Sequence, residues 1–263
     1  MEAFDPGDVS EVLKSRGPIL AALSVEEKTP AELAAELSVS RSTIDRGLRE
    51  LERSGFVEVV DGTARATLFG RLALESYADL VGQLAEIDSA ADAFESLPAD
   101  TQFDPVMVDG SRSVVAETAD DERPLDRLTS FFDRATAIRG CVRTAAQPQI
   151  ETFSRRIVDD DIAVSLVATS ALVEQLITEH RPQLVTLLGT GSFSLRSIDS
   201  LPYSLFVVEL PTGPVALLVT YRSGRIFSVV SNDSSAAVAW TQTQLDRWWS
   251  ASESLPLSPP TDE

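Results

Sequence analysis

Between Thr29 and Leu68 the chain is punctuated by local signals whose spacing leaves few ways to fold it. Thr29-Pro30, with Glu32 three residues after Thr29, is a capping box with proline at the first helical position. Leu33, Ala34 and Leu37 then supply an apolar face, so a helix is predicted from about Pro30 to Leu37. Ser38-Val39-Ser40 is a short polar turn, after which Ser40 can cap another helix. That helix carries Ile44, Leu48 and Leu51 on one side and Arg41, Ser42, Thr43, Arg46 and Arg49 on the other. Gly55 ends it. Phe56–Val60 and Ala64–Leu68 flank Asp61-Gly62, a dipeptide that favours the tight turn of a β-hairpin because both positions tolerate positive φ. Upstream, Val9, Val12, Leu13, Ile19, Leu20 and Leu23 recur at helical spacing with Gly17-Pro18 between them, which predicts a first short helix beginning near Pro18.

Three short helices closed by a hairpin read as a winged helix-turn-helix over residues 1–70. A helix that reads DNA needs arginines and short polar residues near its N-terminus to meet base edges, while its other side anchors on the bundle. Arginine can take guanine O6 and N7 together, and a threonine hydroxyl or methyl can meet a base. The amide of Ser40, with the Ser40 and Ser42 hydroxyls, can hold a phosphate at the helix N-terminus. In the hairpin, Arg65 is placed to enter the minor groove or meet the backbone. The expected DNA-contacting set is Thr29, Ser40, Arg41, Ser42, Thr43, Arg46, Arg49 and Arg65, with double-stranded DNA as partner. The competing reading is a protein-interaction or scaffold module that reuses the winged helix, its arginines only solvating the helix face.

Charge is the objection to DNA. The 263 residues hold 22 Lys+Arg against 41 Asp+Glu, a formal net charge of −19, which is the wrong sign for a generic polyanion binder. From Ser38 to Arg71, however, six arginines outnumber five carboxylates. Lys14 and Lys28 are the only lysines. A lysine-poor, acidic surface suits a high-salt cytoplasm, where repulsion is screened within a few ångströms, and this points to a halophilic source. There, DNA contact must lean on shape and hydrogen bonds more than on counterion release. Cys141, the sole cysteine, can form no internal disulfide or thiolate zinc cluster and is expected as a small buried hydrophobe. No run approaches about 18 uninterrupted apolar residues, and Met1–Asp5 lacks the order of a secretory signal, so a soluble cytoplasmic protein is expected.

A long helical stripe follows the hairpin: Leu72, Leu74, Tyr77, Leu80, Val81, Leu84, Ile87, Ala91 and Phe94. It is expected as a linker helix over residues 71–97 that either docks on a second domain or pairs with its twin in a homodimer. Residues 98–253 alternate strand-like and helical runs, which predicts an α/β domain and an α+β chain overall. Strands are expected at Pro105–Val108, Ser113–Ala116, Gly140–Thr144, Ile162–Ala168, Gly191–Ser197, Leu205–Glu209, Val215–Thr220 and Ile226–Val230. Helices are expected at Leu125–Thr136, Gln147–Val158, Ser170–His180 and Ala236–Ser250. Residues 254–263 read as a frayed tail. Trp240, Trp248 and Trp249, with Val238 and Leu245, are spaced to pack on the sheet. A small-molecule effector would sit beyond strand ends, which gathers Arg143, Thr144, Thr169, Ser170, Tyr203, Ser231, Asn232 and Asp233 as a ligand set. Helix capping competes for the same residues, Ser170 and Asp233 or Ser234 above all. Asp159-Asp160-Asp161 fan outward from a loop and cannot converge on a metal, and no cofactor motif is present: Gly189-Thr190-Gly191-Ser192 is neither a P-loop nor a nucleophile elbow, and reads as a turn between strands.

The chain resembles the archaeal winged-helix regulators related to the methanogenesis regulator and, more distantly, the TrmB regulators. The N-terminal likeness runs from Thr29 to Val57. The C-terminal likeness rests on Arg123-Pro124-Leu125, on Leu201-Pro202-Tyr203 leading into Ser204–Glu209, and on Val230-Ser231-Asn232-Asp233 before Ala236, Val238, Trp240 and the closing helix to Trp249. The resemblance implies a DNA-binding dimer whose C-terminal domain senses a small molecule or mediates assembly, on a fold that looks like a catalytically inactive phospholipase-D half. Phospholipase-D chemistry uses a His-x-Lys pair, and no lysine follows His180, the only histidine. No enzyme activity is therefore expected, and His180, before Arg181-Pro182, is expected to complement a helix dipole.

Overall fold

A computed structural model describes residues 6–145, 150, 154, 157 and 162–255 and divides the chain into two compact units, Met1–Ala85 and Glu86–Glu263. The architecture is α+β. In the first unit α1 (Pro6–Val25), α2 (Pro30–Glu36) and α3 (Arg41–Arg53) precede a hairpin of β1 (Val57–Val60) and β2 (Thr63–Ala66), and α4 (Leu68–Phe94) follows. The expected helix start near Pro18 is wrong, because α1 runs through Pro18 from Pro6. An internal proline costs about 3 kcal/mol. Leu13 and Leu20, seven residues apart and so on one face, are both buried at about 1.5–3 kcal/mol each, which offsets that cost.

The core of this unit joins Leu20 and Leu23 of α1, Leu33 of α2 and Ile44, Leu48 and Leu51 of α3 to Phe56. Helix α3 approaches α1 closely because Gly47 lacks a side chain: a Cβ there would stand 2.5 Å from Ile19 Cδ1. The Arg16 guanidinium donates to Glu50 at 2.6 Å, fastening the two helices and holding the Glu50 carboxyl below its usual range. Gly55 leaves α3 at φ 73°, and Asp61 and Gly62 turn the hairpin at φ 51° and 80°, the geometry their residue types favour. Lys28 exchanges both backbone hydrogen bonds with Ala64, extending the hairpin by one bridge. The first turn of α4 lies on the backbone of Phe56, where a Cβ on Gly70 would come within 2.1 Å of the Phe56 carbonyl oxygen.

The second unit is built on one sheet. Its strands are β3 (Arg112–Val115), β4 (Ala137–Val142), β5 (Ala163–Thr169), β6 (Phe193–Ile198), β7 (Ser204–Leu210), β8 (Gly213–Arg222), β9 (Arg225–Asn232) and β10 (Glu253–Ser254). Among the described residues the order is β10-β6-β5-β4-β7-β8-β9-β3. β4, β5 and β6 are mutually parallel, and every other pairing is antiparallel. Both faces are covered, which is why β7 and β8 read as near-continuous apolar runs. α5 (Arg123–Phe132), α6 (Ser170–Glu179) and α7 (Arg181–Gly189) place Leu128, Phe131, Leu172 and Leu184 against one face. On the other, α8 (Ser235–Ala251) brings Val238, Leu245 and the three tryptophans together with Ala93, Met107, Cys141 and Tyr203. Cys141 is fully buried, and desolvation pushes its thiol well above the usual range.

Three sequence expectations in this unit need correction. Pro105–Val108 is not a strand: Pro105–Met107 forms a 3₁₀ turn because the Asp104 carboxylate caps the Val106 amide at 3.0 Å. Helix α7 was not foreseen, since His180-Arg181-Pro182 reads as the end of one helix when Pro182 opens the next. Gly189–Ser192 accordingly joins a helix to a strand. The expected helix Gln147–Val158, apart from residues 150, 154 and 157, lies outside the described residues, as do Asp159–Asp161 and the tail after Leu255.

Candidate nucleic-acid interface

Ser40 caps α3 through its side chain, which accepts from the Thr43 amide at 3.2 Å and touches the Ser42 and Thr43 hydroxyls at 2.9 and 2.8 Å. The cap fixes the first turn and groups three hydroxyls at its N-terminus. At 100° per residue, Arg41 lies beside Leu48, seven residues on, and Asp45 at the flank, while Ser42, Arg46 and Arg49 lie opposite Ile44, Gly47, Leu48 and Leu51. Those four are buried, while Arg41, Ser42, Arg46 and Arg49 are exposed and Thr43 is half-buried. Among the described residues, Arg41 and Arg46 make no ion pair or side-chain hydrogen bond. Arg49 differs, since its Nε donates to the Asp45 carbonyl at 3.0 Å. The exposed N-terminal half of α3, with these two guanidiniums and a hydroxyl cluster, can offer forked donors to an acceptor surface such as a guanine edge or a phosphate.

Two residues of the expected set are committed within the unit. The Thr29 hydroxyl bonds both the Glu32 amide and the Glu32 carboxylate, and the Thr29 amide donates back to that carboxylate at 2.8 Å, so Thr29 is a closed capping box. Arg65 pairs with Glu58 directly across the hairpin at 2.7 Å, both side chains about half exposed. An exposed pair of this kind contributes roughly 0–1 kcal/mol, so a phosphate can displace Glu58 at small cost. The Arg16–Glu50 pair that seats α3 was missed, because its partners lie 34 residues apart with no local pattern to join them.

The ligand set is not one site. β9 runs opposite to β4 and β5, so Ser231, Asn232 and Asp233 stand at the other end of the sheet from Arg143, Thr144, Thr169 and Ser170. Asn232 is 3% exposed; its amide nitrogen donates to the carbonyls of Val106, Met107 and Asp109 while its oxygen accepts from the Ser234 amide. It is a clamp between the 3₁₀ turn and the α8 cap. The Ser231 hydroxyl donates to the Arg112 carbonyl, and Asp233 is exposed beside Ser234, which is the cap of α8. Tyr203 is buried edge-on to Phe103 and Trp248. Thr169 caps α6 in place of the expected Ser170, and its hydroxyl donates to the Arg143 carbonyl at 2.8 Å. Ser170 contacts the Ser197 hydroxyl. Arg143 donates to the Pro202 carbonyl, leaving Thr144 and Asp233 as the members without a side-chain hydrogen bond among the described residues. His180 does not cap through its side chain either, as its imidazole is buried.

Residues 122–251 match the family described as methanogenesis regulatory protein FilR1, middle domain, and residues 10–89 match the HVO_A0261 N-terminal domain. No curated protein matches the sequence. Among solved structures, the archaeal chromatin protein TrmBL2 aligns over 95% of this chain and 100% of its own at 15% identity and a TM-score of 0.43. The phospholipase D family member Nuc from Salmonella typhimurium aligns over 55% of this chain and 98% of its own at 11% identity and a TM-score of 0.38. NucT from Helicobacter pylori covers the same shares at 8% identity and a TM-score of 0.40. The first unit is thus matched by the HVO_A0261 N-terminal domain model and the second by the middle-domain model of the methanogenesis regulatory protein FilR1.

Proposed function

We propose that this transcription regulator binds double-stranded DNA sequence-specifically as a homodimer in a high-salt cytoplasm, and that its C-terminal unit adjusts that binding in response to a small molecule. The observation that carries the reading is the exposed surface of α3: Ile44, Leu48 and Leu51 are sealed in the core while Arg41 and Arg46 stand exposed, with no ion pair or side-chain hydrogen bond among the described residues. Homodimerisation is supported by α4, on which Ala73, Tyr77, Leu80, Leu84, Ile87 and Ala91 recur at alternating spacings of four and three. Leu80 and Leu84 are 49% and 56% exposed, so the middle of that seam is left uncovered by the described residues. Two such dimerised units would set the spacing of two α3 helices on the duplex. No helix of the described residues is long and apolar enough to cross a membrane, and the reading includes no catalytic chemistry.

The test is selection of binding sites from random-sequence duplexes at about 1 M salt, followed by footprinting. Arg41→Ala and Arg46→Ala are each expected to weaken the selected site by about 1–3 kcal/mol, or roughly five- to 150-fold. A footprint of wild-type strength in the double variant removes α3 from the DNA and leaves the protein-interaction module.

A further inference from the structure

The second unit contains a cavity of about 250 Å3 between the β4–β5–β6–β7 part of the sheet and the helices α5, α6 and α7. Its walls are overwhelmingly hydrocarbon, with Leu128 and Phe132 from α5, Ile138 and Leu166 from the sheet, Leu184 from α7 and Phe206 from β7. Among the polar residues of the wall, one is buried without a partner. His180, at the junction of α6 and α7, lines the cavity, is 5% exposed, and its Nε2 has no hydrogen-bond partner among the described residues. A buried polar atom left unpaired costs about 1–3 kcal/mol, and natural cores rarely keep one. Tyr221 also lines the cavity, but its hydroxyl is satisfied by Ser204 at 2.7 Å. The described lining residues include two carboxylates, Asp126 and Asp133, and no lysine or arginine. Two carboxylates without a cation among the described lining residues disfavour a ligand carboxylate there, so the lining favours an uncharged head group.

We propose that this cavity is the effector site of the protein, and that it takes an uncharged, mostly hydrocarbon small molecule whose single hydrogen-bonding group meets His180 Nε2. The proposal rests on the effector-modulated reading above and relocates the site from strand ends to the α5/α6/α7 face. An apolar pocket with one convergent polar group is the common form of a small-molecule site. A ligand there would complete the bond His180 lacks and bridge α5 to the α6–α7 junction.

The probe is 1-octanol, with octanoate at pH 7.5 as the charged control, and the readouts are isothermal calorimetry and the melting temperature of the full chain. Octanol is expected to bind and raise the melting temperature, and octanoate to bind at least tenfold more weakly. His180→Phe keeps a ring and removes the nitrogen, and is expected to weaken octanol about tenfold. Leu128→Trp and Leu184→Trp fill the cavity from different helices, and each is expected to abolish binding while the far-ultraviolet spectrum stays native. No octanol binding to the wild type, equal binding to both filled variants, or tighter binding of octanoate overturns the site. Octanol binding that leaves the selected DNA footprint unchanged supports the pocket and overturns its role as effector, so the two readings fail separately.

Discussion

Replacing Gly70 by alanine sets two physical effects against each other, and the structure decides between them. Alanine is about 1 kcal/mol better than glycine inside a helix, so propensity alone predicts that Gly70→Ala stabilises α4. The new Cβ, however, would lie 2.1 Å from the Phe56 carbonyl oxygen and 2.8 and 2.9 Å from its carbonyl and α carbons. An unstrained carbon–oxygen contact needs about 3.3 Å, so the start of α4 must retreat by roughly 1 Å from a backbone that cannot rotate away. Overpacking of this sort costs about 1–3 kcal/mol or more, and the backbone obstacle places it at the upper end. The net expectation is a loss of about 2 kcal/mol, which for a unit of this size lowers its melting temperature by about 8–16 °C. Gly82 is the internal comparison, lying in the same helix with nothing within 4 Å of its would-be Cβ, so Gly82→Ala is expected to stabilise by up to about 1 kcal/mol. Differential scanning calorimetry of the full chain reads both variants. An unchanged or raised first transition in Gly70→Ala, with Gly82→Ala alike, would refute the steric argument.

Further outcomes follow from other contacts. Thr29→Ala opens the capping box and is expected to cost about 1 kcal/mol in denaturant unfolding while footprint strength changes little, since that hydroxyl faces Glu32. Asp121 is held well below the usual carboxylate range, first by the Arg123 guanidinium and then by the amides of Glu117 and Arg123. A depressed folded value contributes stability that is complete above the unfolded value near pH 4 and disappears as pH falls toward the folded one. Melting curves of wild type and Asp121→Asn should therefore differ fully at pH 7 and converge in strong acid; a constant gap would count against the linkage. Leu80→Glu with Leu84→Glu should convert a dimer to a monomer by sedimentation.

The first unit was legible where the signal was local. The capping residues Thr29 and Ser40, the turn Asp61-Gly62 and the apolar positions of α3 each act within four residues of chain, and each is where the spacing put it. Pro18 misled because burial of Leu13 and Leu20, a property of the assembled bundle, outweighs a local penalty. Strand direction was invisible for the same reason: nothing in Ser231-Asn232-Asp233 reveals that β9 runs against β4, so polar residues from opposite ends of the sheet were gathered into one set. Nor could spacing separate wall from core, as Leu128 and Leu184 show the same apolar period whether a side chain or an empty volume lies opposite them.

The burial of Cys141 makes the native chain its own blank for chemical labelling. A thiol sealed beneath α8 and shifted toward its neutral form should resist maleimide while the fold is intact. A single cysteine introduced at Arg49 or Ser76 would then carry the whole signal, so dye pairs or spin labels could report distances on α3 and α4 without first deleting any residue of the wild type.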